Sequence, residues 1–293
     1  MNQNSGWGST LPVLNENGLS DHPFTQSANP RYYFFSEEIR PVYRMIQSVV
    51  AQRRGLMLVT GEKGAGKTSL ARLVHQELYE LDMVEVSLIE ITNFRSRMGI
   101  AQVISDSFSK NLDVGPKRSF IKQMAALKAG VAMYYQKTSG NIVLIIDDAQ
   151  LLKPPALEVI HELYNFDVNV KLVQTLIFGT PKTARVFAGN PDIDARVFAR
   201  MTIPTLSFSS MINLITHRLH VAGRDEPLFT EGALNSIFVK SDGVPRNVIR
   251  LCGAALDIMF EKNASVIDAS MCIGAAGWIG RDEGRTRKVV YLG

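Results

Sequence analysis

Gly61, Glu62, Lys63, Gly64, Ala65, Gly66, Lys67 and Thr68 hold the spacing G-x-x-x-x-G-K-[ST], the pattern of a loop that wraps a polyphosphate. Glycines let the backbone curl so that successive N–H groups face the phosphates, and the start of the following helix adds its positive dipole end. Lys67 then reaches the β and γ oxygens, Thr68 ligates Mg²⁺, and Ser69 lies beside them in the first helical turn. About 80 residues on, Asn141-Ile142-Val143-Leu144-Ile145-Ile146 is an apolar run that ends in Asp147 and Asp148. Asp147 is placed to hold Mg²⁺, directly or through water. Asp148 takes the position of a base that polarises the attacking water. Glutamate is the usual acid there, and aspartate is one methylene shorter. A displacement of ~1 Å of a catalytic group can cost on the order of 10²-fold in rate, so slow hydrolysis is expected.

These groups need rigid elements behind them. Leu56–Thr60 is a short apolar run before the loop, and Leu70, Leu73, Val74 and Leu78 follow it at helical spacing. Further strand-like runs occupy Met83–Ile91, Ile142–Ile146, Val170–Phe178 and Met201–Leu206, with helical stretches between most of them. Strands that alternate with helices and are apolar on both faces imply an α/β fold of the P-loop NTPase kind, a central parallel sheet covered on each side in three layers. After about Ser209 helical patterns take over, the clearest through Val248, Leu251, Cys252, Ala255, Leu256 and Met259, which gives a small helical lid domain. The expected organisation is an extended arm over 1–30, a nucleotide-binding domain over 31–208, the lid over 209–280 and a basic tail over 281–293.

Bulk properties exclude little. The chain of 293 residues is 46% hydrophobic and 20% charged with a formal net charge of +4, an ordinary globular composition whose mild basicity permits nucleic acid without arguing for it. Cys252 and Cys272 have no C-x-x-C or nearby histidine, so two reduced, buried thiols are expected rather than a disulfide or zinc site. The N-terminus has neither a basic start nor an apolar core of a secretory signal, and no run approaches a membrane span, so a cytoplasmic location is expected. His217 and His220, the run Tyr32-Tyr33-Phe34-Phe35, and Arg53 with Arg54 read as packing or surface features.

The chain resembles the ExeA/GspA-like AAA+ ATPases, a group that includes transposition-regulator ATPases. The resemblance covers roughly residues 22 to 262. It runs from His22-Pro23-Phe24 and Asn29-Pro30-Arg31-Tyr32-Tyr33-Phe34-Phe35 through Arg54-Gly55-Leu56 into the loop. It continues with Asp147-Asp148-Ala149-Gln150, where the family usually has Asp-Glu-Ala-Gln, then Phe178-Gly179-Thr180-Pro181 and Arg196-Val197-Phe198-Ala199-Arg200. It ends on Gly243-Val244-Pro245-Arg246. The resemblance implies that Thr180 is the sensor-1 polar group and Arg246 the sensor-2 arginine. It makes Arg196 or Arg200, spaced to share one face of a helix, an arginine finger for a neighbouring subunit, with Arg200 preferred because it directly precedes the next strand. It further implies ATP and Mg²⁺ as cofactors, a homo-oligomer, a protein partner from secretion, envelope or transposase machinery, and DNA as a second class of partner.

Overall fold

The computed structural model of the chain describes residues 17–26, 30–90, 94, 96–108, 112, 114–166 and 170–279. Most of the expected arm and the whole basic tail therefore lie outside the described residues. The described chain divides into two compact units. Glu37–Pro204 is one, and residues up to 36 join those from 205 onward in the other.

The first unit is built on a five-stranded parallel sheet. Helix α1 (Arg40–Ala51) precedes β1 (Leu56–Gly61), and the loop leads into α2 (Lys67–Tyr79) and β2 (Val84–Glu90). Then come α3 (Arg97–Ser107), α4 (Phe120–Thr138), β3 (Asn141–Asp147), α5 (Pro154–Tyr164) and β4 (Val173–Gly179). The short α6 (Pro181–Ala188) and α7 (Pro191–Asp194) lead into β5 (Val197–Ile203). The order across the sheet is β2-β3-β4-β1-β5, every neighbouring pair parallel. Every residue of β3 and β4 is buried, as strands covered on both faces must be.

Strand β5 is the exception, and it starts four residues earlier than the apolar run suggests. Val197, Ala199 and Met201 are half-buried, while Phe198, Arg200 and Thr202 are exposed. That is the alternation of an edge strand with one wet face. Phe198 carries the Arg54 guanidinium across its ring at 4.7 Å.

The second unit contains α8 (Phe208–Val221), α9 (Glu231–Ser241), α10 (Pro245–Glu261) and α11 (Ala269–Ile279). Its core also takes in Leu19, Phe24 and Tyr32. Residues 31–36 thus belong with the helices rather than with the nucleotide-binding domain, and the end of the expected arm is a core segment. The physical reason is Arg218 on α8, only 5% exposed. Its guanidinium donates from Nε to the Pro23 carbonyl (2.6 Å), from Nη2 to Thr25 (2.9 Å) and from Nη1 to Tyr32 (3.4 Å), and lies 4.8 Å from the centre of the Tyr32 ring. Ser20 adds two hydrogen bonds to the Ala222 carbonyl, from its N–H and its hydroxyl.

Cys252 and Cys272 are free and buried in this unit, and burial pushes the Cys272 thiol up to about 12 and Cys252 well above its ordinary value. His217 packs on Phe34 with ring centres 5.7 Å apart, and no cluster of metal-ligating side chains occurs among the described residues. Replacing Arg218 by Met leaves three carbonyls without their donor, so the helical unit is expected to lose about 2 kcal/mol or more of stability. Denaturant unfolding measures the loss, and limited proteolysis should then cut within residues 17–36.

Candidate nucleotide-binding site

Strand order decides which loops meet. β4 lies between β1 and β3, so the C-terminal ends of the three strands bring Gly61, Gly179 and Asp147 to one edge of the sheet, where open α/β folds bind ligands. The loop from Gly61 onward needs its glycines. Gly64 and Gly66 have φ of 92° and 94°, values that L side chains rarely adopt. A Cβ on Gly61 would come within 3.2 Å of the Ile203 carbonyl and 3.4 Å of the Ala65 Cβ.

Ser96, Ser119, Ser207 and Thr230 cap their helices by accepting a backbone N–H on the side-chain oxygen. Helix α2 starts at Gly66 with no side-chain cap, which leaves its first-turn N–H groups, including that of Ser69, for an anion. Lys67, 7% exposed, donates from Nζ to the carbonyls of Gly61 (2.9 Å) and Glu62 (2.8 Å), which puts its charge inside the curl of the loop. Glu62 and Lys63 are exposed at its outer rim.

The two halves of the site are joined directly. Thr68 donates its hydroxyl to Asp147 Oδ2 at 2.6 Å. Asp147 is 3% exposed, and its Oδ1 is buried with no hydrogen-bond partner among the described residues. An orphaned carboxylate oxygen beside a threonine hydroxyl is a donor set that suits Mg²⁺ or one of its waters, so Thr68 and Asp147 are the residues that would hold the cation. Burial is the main cause that raises the Asp147 carboxyl above the usual carboxylate range, opposed by the Thr68 hydrogen bond.

Asp148 is exposed and sits at φ 51°, a left-handed backbone that Asp tolerates better than Glu. Gln150, in the 3₁₀ turn Ala149–Leu151, donates from Nε2 to Asp148 Oδ1 (2.9 Å), and its Oε1 accepts the Thr180 N–H (3.0 Å). Thr180 Oγ1 is buried without a hydrogen-bond partner among the described residues. The sequence reading gave Gln150 no role, although the spacing Asp148-x-Gln150 was the available signal.

The arginines need a correction. Arg196 and Arg200 are not on a helix: Arg196 directly precedes β5 and Arg200 lies within it. Arg200, the preferred finger, is tied down, with Nη2 2.6 Å from Asp194 Oδ1 and 3.1 Å from the Asp194 carbonyl. Arg196 is exposed and rests 5.8 Å from the Tyr164 ring centre, with no carboxylate in ion-pair reach among the described residues. Arg246 belongs to the helical unit, exposed at the second position of α10 behind Pro245. Its turn is fixed by Gly243 at φ 66°, where a Cβ would lie 2.4 Å from the Leu206 carbonyl.

A family model described as an AAA domain matches residues 50–187, which includes the loop, Asp147, Asp148 and Thr180. The general secretion pathway protein A of Aeromonas hydrophila is 30% identical over 277 residues, 91% of this chain and 49% of that protein. The chain is an AAA ATPase similar to the ExeA/GspA-like proteins. It spans about half the length of the curated relative it matches. The ORC2 protein of Aeropyrum pernix shares the fold of this AAA ATPase with a TM-score of 0.64 at 15% identity, over 91% of this chain and 72% of that one. The RuvB Holliday junction branch migration motor of Thermotoga maritima does so at 0.53 and 15%, over 82% and 69%.

The raised carboxyl gives a stability test. Because folding disfavours the ionised form of Asp147, the cost sets in as pH rises from the unfolded value of about 3.9 through the folded-state value, and it is complete above that. In the absence of nucleotide, Asp147→Asn should therefore raise the melting temperature at neutral pH, with the gain fading as pH falls below that window. An unchanged melting temperature at neutral pH would contradict the assignment of burial as the dominant cause.

Proposed function

We propose that this AAA ATPase binds ATP with Mg²⁺ on the loop Gly61–Thr68, hydrolyses it slowly, and assembles with further copies of itself to act on a protein or DNA partner. The observation that carries the reading is the Thr68 hydroxyl on Asp147 with the second carboxylate oxygen left over, beside a lysine already inside the loop. Mg²⁺, when bound, supplies neutralising charge to the phosphates. Lys67 and the uncapped start of α2 hold the phosphates, and Asp148 accepts a proton from water as its oxygen bonds to the γ-phosphorus and the bond to ADP breaks. Thr180, at the end of the strand between the two halves, offers a polar atom towards the same edge. Arg246, carried on the helical unit, is the residue we assign to report nucleotide state to that unit.

Arg196 is the better arginine finger, since Arg200 is already neutralised by Asp194. Arg196→Ala is expected to lower turnover by about 10³-fold. Mixing it with Lys67→Ala protomers, which still carry the finger, should restore part of the rate. Arg200→Ala should cost far less.

A second reading, an ATP-loaded scaffold that turns over poorly, draws on the short Asp148 side chain. Asp148→Glu separates the two: turnover should rise if reach limits the rate, at a stability cost of no more than about 1 kcal/mol from the left-handed backbone. The defining measurement is ATPase turnover with and without double-stranded DNA, with size distribution followed in parallel and Lys67→Ala as the inactive control. DNA-stimulated turnover with ATP-dependent assembly supports a role on DNA, and indifference to DNA directs the search to a protein partner.

A further inference from the structure

Gln150 is the residue through which the base and the sensor-1 turn are mechanically one piece. Its amide touches two groups of fixed polarity. The Thr180 N–H can only donate and the Asp148 carboxylate can only accept, so the amide has one orientation that satisfies both, with Oε1 on Thr180 at 3.0 Å and Nε2 on Asp148 at 2.9 Å. The turn that carries Gln150 is itself pinned, as Leu151 N–H donates to the Asp148 carbonyl (3.0 Å) and Leu152 N–H to Ala149 (3.1 Å). Room for the amide depends on Gly179, where a Cβ would lie 3.1 Å from Gln150 Oε1 and 2.1 Å from Thr183 Oγ1. The Asp148 carboxylate is exposed and short, on a backbone that already deviates into the left-handed region, so without Gln150 nothing among the described side chains fixes its direction.

We infer that Gln150 is a positioning residue for hydrolysis: it aims the Asp148 carboxylate and ties that aim to the Thr180 backbone at the end of β4. The inference rests on the reading of Asp148 as the base. It assigns to Gln150 an effect on the chemical step and none on nucleotide affinity, because among the described residues Gln150 hydrogen-bonds to Asp148 and Thr180 and not to the loop or the Thr68–Asp147 pair.

The decisive variant is Gln150→Glu, which keeps the length of the side chain and an oxygen for the Thr180 N–H but replaces the donor to Asp148 with a second carboxylate oxygen. The expected result is a fall in kcat of about tenfold or more, with KM and the equilibrium affinity for a fluorescent ATP analogue within about twofold of wild type and the melting temperature retained. Gln150→Ala should lose kcat in the same direction. In an Asp148→Ala background, where no carboxylate remains to be aimed, adding Gln150→Glu should change the residual single-turnover rate, read with radiolabelled ATP, by less than about twofold.

A wild-type or raised kcat for Gln150→Glu overturns the inference. So does an equal loss in the Asp148→Ala background, which is what a merely structural side chain would give. If Asp148→Ala itself keeps full turnover, the base reading fails first. If that variant is inactive while both Gln150 variants run at full rate, the base reading stands and only the role of Gln150 is lost.

Discussion

The placement of β4 between β1 and β3, all three parallel, is the constraint on which the nucleotide site depends. Parallel strands covered on both faces are filled mostly by apolar side chains, with buried polar groups such as Gln174 hydrogen-bonded to the Gly55 N–H and to Asn141, and they end together on one side of the sheet. The loop Gly61–Thr68 and Asp147 therefore face each other across the end of a third strand rather than as direct neighbours. That gap is bridged twice. Thr68 reaches Asp147 directly, and Gln150 reaches from beside Asp148 to the backbone of Thr180.

A second constraint shapes the helical unit, and it is made of backbone. Gly243 lies so close to the Leu206 carbonyl that no side chain fits, and the Leu206 N–H donates back to the Gly243 carbonyl at 2.8 Å. The turn before α10 is thereby fastened to the chain just after it enters this unit, and Arg246 inherits its place from that contact. Arg218 does a comparable job at the other end of the unit, where a cation without a carboxylate is satisfied by three carbonyl oxygens. A buried guanidinium on a cluster of carbonyls is tolerable because each is a hydrogen-bonded dipole rather than a bare void.

Much of this was legible in the sequence for identifiable reasons. The loop announces itself because glycine, lysine and threonine are each required by the phosphate chemistry at fixed spacing, and β3 because five apolar residues before two carboxylates have few other homes. The edge strand was misplaced because its apolar residues alternate with Phe198, Arg200 and Thr202, and a search for continuous apolar runs passes over a half-wet strand. The ion pair of Arg200 was hidden for a related reason: Asp194 is six residues from Arg200, and only the bend between α7 and β5 brings them together. Arg218 and the segment it holds lie almost two hundred residues apart, so no local pattern could join them. Gln150 stood in plain view beside the aspartates, but its role is set by a strand that arrives thirty residues later.

The shared core of residues 17–36 with α8–α11 also sets an order of events during synthesis. The ribosome releases Leu19, Phe24 and Tyr32 well before their packing partners on α8–α11 emerge. Residues 37–204, with their own continuous core, complete a folded body in between. Until α8–α11 are made, Leu19, Phe24 and Tyr32 thus lack the apolar partners they pack against in the folded unit. Closure of the helical unit therefore waits until α8–α11 have been made, after residues 37–204 are complete.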